Sequence, residues 1–322
     1  MDSSSLIYDL TNGLFNPLLY PFDPSRRVFV GFLLIAILMA FFVYAANNTD
    51  RSCSAFLKYF FKKDIWLHKS SKLDFKLLFA NSSLSAAFIV PFIVTKLTII
   101  VWVSSGLRTE FGAVENQIVP YWSIILLFTV TIFFIEDFNR FFLHRCYHKI
   151  PFLWEFHKVH HSAEVLTPFT LYRTHPVEII ISRTGSVLVI GFVTGIFVYL
   201  FPGQLSALEI LGVDLLGFIF NALGANLRHS HIPFSFGRLD HWFISPSMHQ
   251  IHHSELKQHH DKNFGSCFAV WDRMLGSLYH PSKNEPLSFG CQNSGDHTLT
   301  SQWFSPFSRI IKQSKYKKVV TE

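Results

Sequence analysis

Cysteine is scarce in this chain of 322 residues. There are four, Cys53, Cys146, Cys267 and Cys291, with no C-x-x-C pair among them. That pattern indicates neither a disulfide framework nor a thiolate metal site. Charged residues are also few, at 16%, against 49% hydrophobic. No H-E-x-x-H supplies the metal ligands and general base of a zincin, and no G-x-G-x-x-G follows a strand. There is no HPGG haem-binding box, no internal repeat, no low-complexity tract and no visible separate soluble domain. The formal charge of +6 is spread over loops beside apolar runs, with no aromatic–basic motif, so nucleic acid is excluded as a partner. Anionic lipid headgroups are the expected partner of that charge.

What the chain does have is long apolar runs and phenylalanine, at 36 residues. This composition predicts a multi-spanning membrane protein. Residues 1–26 lack the basic start and small-residue cleavage site of a signal peptide. The run 28–46 is therefore read as an uncleaved first span. The loop 47–76 carries seven Lys and Arg residues and is expected on the cytoplasmic side. A second run covers 77–105, with Pro91 expected to kink it. Lys96 inside that run either snorkels, faces a cavity or marks two half-helices. A third run, 119–135, continues without a helix breaker into Glu136, Asp137 and Arg140. Two more, 185–201 and 205–223, are joined by Pro202-Gly203-Gln204 as a tight hairpin. Glu209 and Asp214 in the last run are buried acids with functional potential. The expected fold is an all-α integral membrane protein of about four to five transmembrane helices with a cytoplasmic histidine-rich helical cap. The tail 281–322 is polar, then basic at Lys312, Lys315, Lys317 and Lys318, and carries no chemical motif.

The histidines are patterned. His144 and His148 are i and i+4. His157, His160 and His161 are i, i+3 and i+4, and His249, His252 and His253 repeat that spacing. On a helix such residues share a face, so each cluster is expected to aim its rings one way. Neutral imidazole is the commonest metal ligand side chain. Sets of two, three and three rings exceed the four ligands of one tetrahedral zinc, and the count implies two ions. By the alternation of spans, every cluster falls on the side chosen by the basic loop.

The phrases HRCYH (144–148), LWEFHKVHHSAE (153–164), YRTHPVE (172–178), NLRHSHIP (226–233), SPSMHQIHHS (245–254), HHDKNFG (259–265) and WDRMLG (271–276) resemble the fatty acid hydroxylase / sterol desaturase superfamily, most of all its bacterial-type sterol desaturase family members. The resemblance covers roughly 120–280. It implies a membrane-bound, non-haem di-iron oxygenase that uses O2 to hydroxylate or desaturate a lipid, whether sterol, fatty acyl or related. Two iron ions are the implied cofactor, and zinc can substitute for iron in a purified sample. Electrons would come from an external donor, a cytochrome b5-like protein, a ferredoxin or a reductase. The expected ligands are His144, His148, His157, His160, His161, His229, His249, His252 and His253. His175, His231, His259, Asp137, Asn226 and Asp272 are candidates for further ligands or for groups that hold a ligand in place. His175 is also a candidate helix start.

Three regions follow from this: 1–118, N-terminal membrane helices with the basic loop; 119–280, a fatty acid hydroxylase-like catalytic region; and 281–322, the tail. The expected location is a bacterial inner membrane, or the endoplasmic reticulum in a eukaryote. Two other classes compete. A bis-histidine haem carrier would place isolated histidines deep in paired spans, which these clusters are not. A membrane metal transporter or zinc-dependent hydrolase would need an acidic ion path or a general-base motif, and neither is present.

Overall fold

A computed structural model describes residues 3–89, 95–115, 119–205, 215–282, 285–292 and 296–321. Among them the chain is helical, with no strand beyond two isolated bridges. The helices are α1 (Ser3–Phe15), α2 (Val30–Asn47), α3 (Cys53–Phe60), α4 (Lys63–Trp66), α5 (Lys69–Leu84), α6 (Lys96–Phe111), α7 (Tyr121–Lys149), α8 (Pro151–His161), α9 (Pro176–Leu200), α10 (Leu215–Ala222), α11 (Pro246–His252), α12 (Val270–Met274) and α13 (Leu299–Thr321).

Three helices, α2, α7 and α9, are long and apolar enough to cross a membrane. The expected second span is divided: α5 runs into a π-helical turn at Ser85–Ile89, and α6 starts afresh at Lys96. Thr95 caps α6 by accepting from the Thr98 N–H, so Lys96 sits in a helix's first turn rather than mid-span. The expected bend at Pro91 lies outside the described residues, as do Glu209 and Asp214. The turn at 202–204 is present, with Gly203 at φ +72°. The run expected after it is described only from Leu215, as α10.

Packing between the spans is set by small residues. Gly191 and Gly195 stand one turn apart on α9. A Cβ on either would come within 2.7 Å of Ile99 or Val103 on α6. Close approach at small-xxx-small positions is how helices associate where hydrocarbon solvent provides no hydrophobic drive.

Prolines punctuate the site-bearing elements. α7 is 29 residues long and stops at Ile150, where Pro151 opens α8. Pro176 and Pro246 likewise start α9 and α11. A proline at the first helical position gives up only an N–H that has no intrahelical partner. The tail helix α13 packs on α8 and α5. Its Arg309 holds Glu155, and Gln302 is bonded to Ser162. The side chains of Lys315, Lys317 and Lys318 lie outside the described set.

Candidate metal centre

All nine histidines expected to be ligands converge in one buried region, in two groups. One holds His144, His148, His157, His161 and His252; the other holds His160, His229, His249 and His253. Within each group the candidate ligand nitrogens lie within 4.8 Å of one another. The clusters do not each aim one way. α8 sends His157 and His161 to the first group and His160 to the second. α11 and its C-terminal cap do the reverse, with His249 and His253 in the second group and His252 in the first. The spacing rule holds within i, i+4 pairs. It fails for the i, i+3 pairs His157/His160 and His249/His252, which divide between the groups, because residues three apart are still offset by about 60° around a helix.

The nitrogens present have few other uses. In the first group, Nε2 of His148, His157, His161 and His252 are buried and have no hydrogen-bond partner. In the second, Nε2 of His229 lies 3.1 Å from those of His249 and His253 and 3.4 Å from that of His160. The Nε2 atoms of His249 and His253 are 3.2 Å apart. Two nitrogens each about 2.0–2.1 Å from one ion at a tetrahedral angle would be roughly 3.4 Å apart. Four imidazole nitrogens this close cannot all be satisfied by sharing protons. The donor set fits metal ions.

The far nitrogens are held by the protein. Nδ1 of His144 donates to the Phe264 carbonyl at 2.8 Å, and that of His252 to the Lys262 carbonyl at 2.8 Å. His160 Nδ1 donates to the Arg173 carbonyl at 3.2 Å, and His157 Nδ1 to Glu178 Oε1 at 3.0 Å. Each bond fixes the tautomer that leaves Nε2 free for a metal. Burial alone pulls His157 down to about 3; burial, with neighbouring imidazoles adding to it, pulls His160 to about 3 and His161, His229, His249, His252 and His253 well below the usual imidazole value. The rings are therefore neutral, as ligation requires.

A further layer holds those acceptors. Asp272 accepts from the N–H groups of Phe264 and Gly265 and from Ser277. Asn263, at φ +54°, donates to the carbonyls of Met248 and Tyr279. This fixes the loop whose carbonyls hold His144 and His252. Asp137 accepts from Cys267 N, Phe268 N and Trp271 Nε1, tying α7 to the same loop and touching no imidazole. Arg173 is fully buried. It donates to Asp74 at 2.6 Å, to Ser162 and to Ser70, which places its carbonyl for His160.

The other candidates stand outside both groups. His175 caps α9 by accepting from Val177 N, and its Nε2 donates to the Trp303 carbonyl. His231 Nε2 donates to the Tyr59 carbonyl, and His259 pairs with Glu285 at 2.8 Å. The Asn226 amide donates to the Arg27 carbonyl. Glu178, three residues after His175 in the THPVE phrase, was not singled out by spacing, though a carboxylate one turn from a candidate histidine was the available signal.

A cavity of about 460 Å³ opens onto both groups, reaching His144 and His157 of one and His160, His229 and His249 of the other. A second, almost wholly apolar groove of about 530 Å³ lies beside it, lined by Phe133, Phe134, Phe220 and Phe268 among others.

A family model described as fatty acid hydroxylase matches residues 129–277, which contain all nine histidines. Curated relatives are similar over about half the chain. Ornithine lipid hydroxylase OlsE of Rhizobium tropici is 26% identical over 176 residues, 54% of this chain and 49% of that protein. Alkylglycerol monooxygenase of Caenorhabditis elegans is 24% identical over 157 residues, 49% of this chain and 28% of that protein. Lathosterol oxidase of Rattus norvegicus is 25% identical over 181 residues, 56% and 53% of the two chains. The chain thus spans about half or less of the length of these relatives. No solved structure matches it. The histidine phrases, their convergence and the matched segment agree: residues 129–277, which carry both histidine groups, are similar to the fatty acid hydroxylase family.

Proposed function

We propose that this protein is a membrane-bound, non-haem di-iron oxygenase that hydroxylates or desaturates a lipid, using O2 and electrons from an external donor. The observation that carries the reading is the sorting of nine imidazoles, seven buried and two half-buried, into a group of five and a group of four, both facing one cavity. The family is non-haem iron dependent. Ligand number and type in each group suit one iron apiece. Iron so bound supplies the O2 activation that breaking an unactivated lipid C–H bond requires.

The chain's own residues do the rest. The carbonyls of Phe264, Lys262 and Arg173 and the carboxylate of Glu178 hold the rings in one tautomer and orientation. Tyr147 stacks on His157, its hydroxyl 2.7 Å from Ser182 Oγ, and forms part of the cavity wall. The apolar groove offers hydrocarbon a path alongside the cavity. With α2, α7 and α9 as spans, the histidine groups are assigned to the cytoplasmic face, on the side of the basic loop 47–76.

The named relatives act on ornithine lipids, alkylglycerols and lathosterol, which supports a lipid substrate. Transport is the weaker reading, because five arginines against two glutamates line the cavity that reaches both imidazole groups, a poor charge for a cation path. The test is iron content and O2-dependent lipid oxidation, read as +16 or −2 mass units, before and after His160→Ala. Two irons per chain and loss of oxidation in the variant are expected. Oxidation that continues unchanged in the variant refutes the assignment.

A further inference from the structure

The cavity over the histidines is lined by five arginines, Arg26, Arg27, Arg140, Arg183 and Arg228, and by two glutamates, Glu136 and Glu178. Some of that charge is accounted for. Arg26 pairs with Asp23 at 3.1 Å and Arg140 with Glu136 at 3.1 Å, and Glu178 is engaged by His157. Arginines at a membrane edge also reach bulk headgroups by extending outward, and half-exposed Arg140 needs no other account.

Arg183 also has no ion pair among the described residues, but Arg27 and Arg228 are set apart by a shared seat on the Phe220 ring. Among the described residues neither has a carboxylate within ion-pair distance. Arg228 is 3% exposed, and its Nε has no hydrogen-bond partner; its Nη2 donates only to the Gly265 carbonyl, at 3.3 Å. The nearest acids, Asp137 and Asp272, are already taken up by backbone N–H groups of the 264–268 loop. Both guanidiniums lie 5.3 Å from the ring of Phe220, which supports them on one face and leaves their N–H edges to the cavity. Two like charges so placed repel, and burying an unpaired cation is costly unless an anion joins it. Arg228 directly precedes His229, so the anion's place adjoins the metal groups.

We infer that Arg27 and Arg228 form a headgroup site, and that the lipid this protein acts on carries an anionic oxygen group, phosphate or carboxylate, bound there. This rests on the oxygenase reading for the word substrate, but the binding itself does not. A guanidinium fork matches both groups in geometry. Since the same cavity touches the imidazoles, the carbon presented to them lies near the anionic end of the lipid rather than at a far methyl. The phenyl ring of Phe220 also lines the apolar groove, which gives the remaining hydrocarbon a way out beside the headgroup.

The experiment measures retention of labelled lipids by the iron-loaded full chain in neutral detergent. The probes are two pairs that differ only in charge: dioleoyl phosphatidate against dioleoylglycerol, and oleate against oleyl alcohol. At least one anionic member is expected to bind tenfold or more tightly than its neutral partner. Arg27→Gln and Arg228→Gln are each expected to cut that preference about tenfold with iron content unchanged, and Arg228→Lys to restore part of it. If Arg228→Gln loses iron, Arg27→Gln, outside the histidine segments, decides. No preference in either pair, or a preference that survives Arg27→Gln, overturns the inference. Inorganic phosphate that displaces phosphatidate at equal concentration shows a site for a free anion, and also overturns it. Lipid oxidation without charge preference would sink this inference alone; charge-selective binding without oxidation of any lipid would sink the oxygenase reading alone.

Discussion

Among the described residues Glu178 is the only carboxylate hydrogen-bonded to an imidazole of either group, Asp261 standing 3.9 Å from His148, and its replacement gives the most direct measure of how the protein would hold a metal. The His157 Nδ1–Glu178 Oε1 bond is 3.0 Å long and buried. Glu178→Gln keeps an oxygen that can accept the same proton but removes the charge. A hydrogen bond to a charged group contributes about 1.5–3 kcal/mol, and a neutral one about 0.5–1.5 kcal/mol. The difference is roughly 1.4 kcal/mol, or about tenfold in affinity for the ion of the five-imidazole group. Glu178→Leu removes the acceptor altogether, and the loss should reach the upper part of the 10–100-fold range typical of such partners. The assay is competition against a chelator series, with bound iron counted per chain. The ion of the four-imidazole group should keep its affinity within about threefold, because His160 is held by the Arg173 carbonyl instead. Equal retention of both ions by wild type, Gln and Leu variants would refute the reasoning that this carboxylate fixes the ligand.

Other outcomes follow from the same geometry. His252→Ala and His253→Ala alter neighbouring residues but should each lower a different ion, the first that of the five-ring group and the second that of the four-ring group, as element counting with site-selective spectroscopy would show. Asp74→Asn leaves Arg173 buried without its charge partner, at a cost of about 3–5 kcal/mol, and should lower the unfolding midpoint in detergent well beyond Ser308→Ala on the exposed side of the tail helix. Gly195→Val drives a side chain into Val103 and should destabilise the α6–α9 contact by about 1–3 kcal/mol, whereas Gly106→Ala, with open space around it, should be neutral or gain up to about 1 kcal/mol.

The sequence was most informative where chemistry repeats at helical spacing. Every histidine placed in the ligand set by spacing or by resemblance lies in one of the two groups. The assignment of clusters to groups was not legible, because spacing describes one helix and the groups are shared between α8 and α11. The holders of the far nitrogens were mostly invisible too. Three of them are backbone carbonyls, which carry no side-chain signature. The Asp74–Arg173 pair spans 99 residues and joins two segments that local pattern treats separately. The spans α2, α7 and α9 followed from length and hydropathy; the break between α5 and α6 was one of three readings that Lys96 left open, because an apolar stretch reads alike whether it is one helix or two. Nothing in the sequence marks Arg27 and Arg228; their shared seat on the Phe220 ring at the cavity, with no carboxylate within ion-pair distance, exists only in three dimensions.

Five rings on one side and four on the other make an unequal couple. If the proposed iron pair occupies them, ions held by different numbers of nitrogens should differ in avidity, spectrum and redox response. A preparation short of iron would therefore fill the richer nest first and leave a half-charged, unreactive population. Low turnover in purified material would then signal missing occupancy of the poorer nest rather than damaged protein, and adding back ferrous iron should recover it.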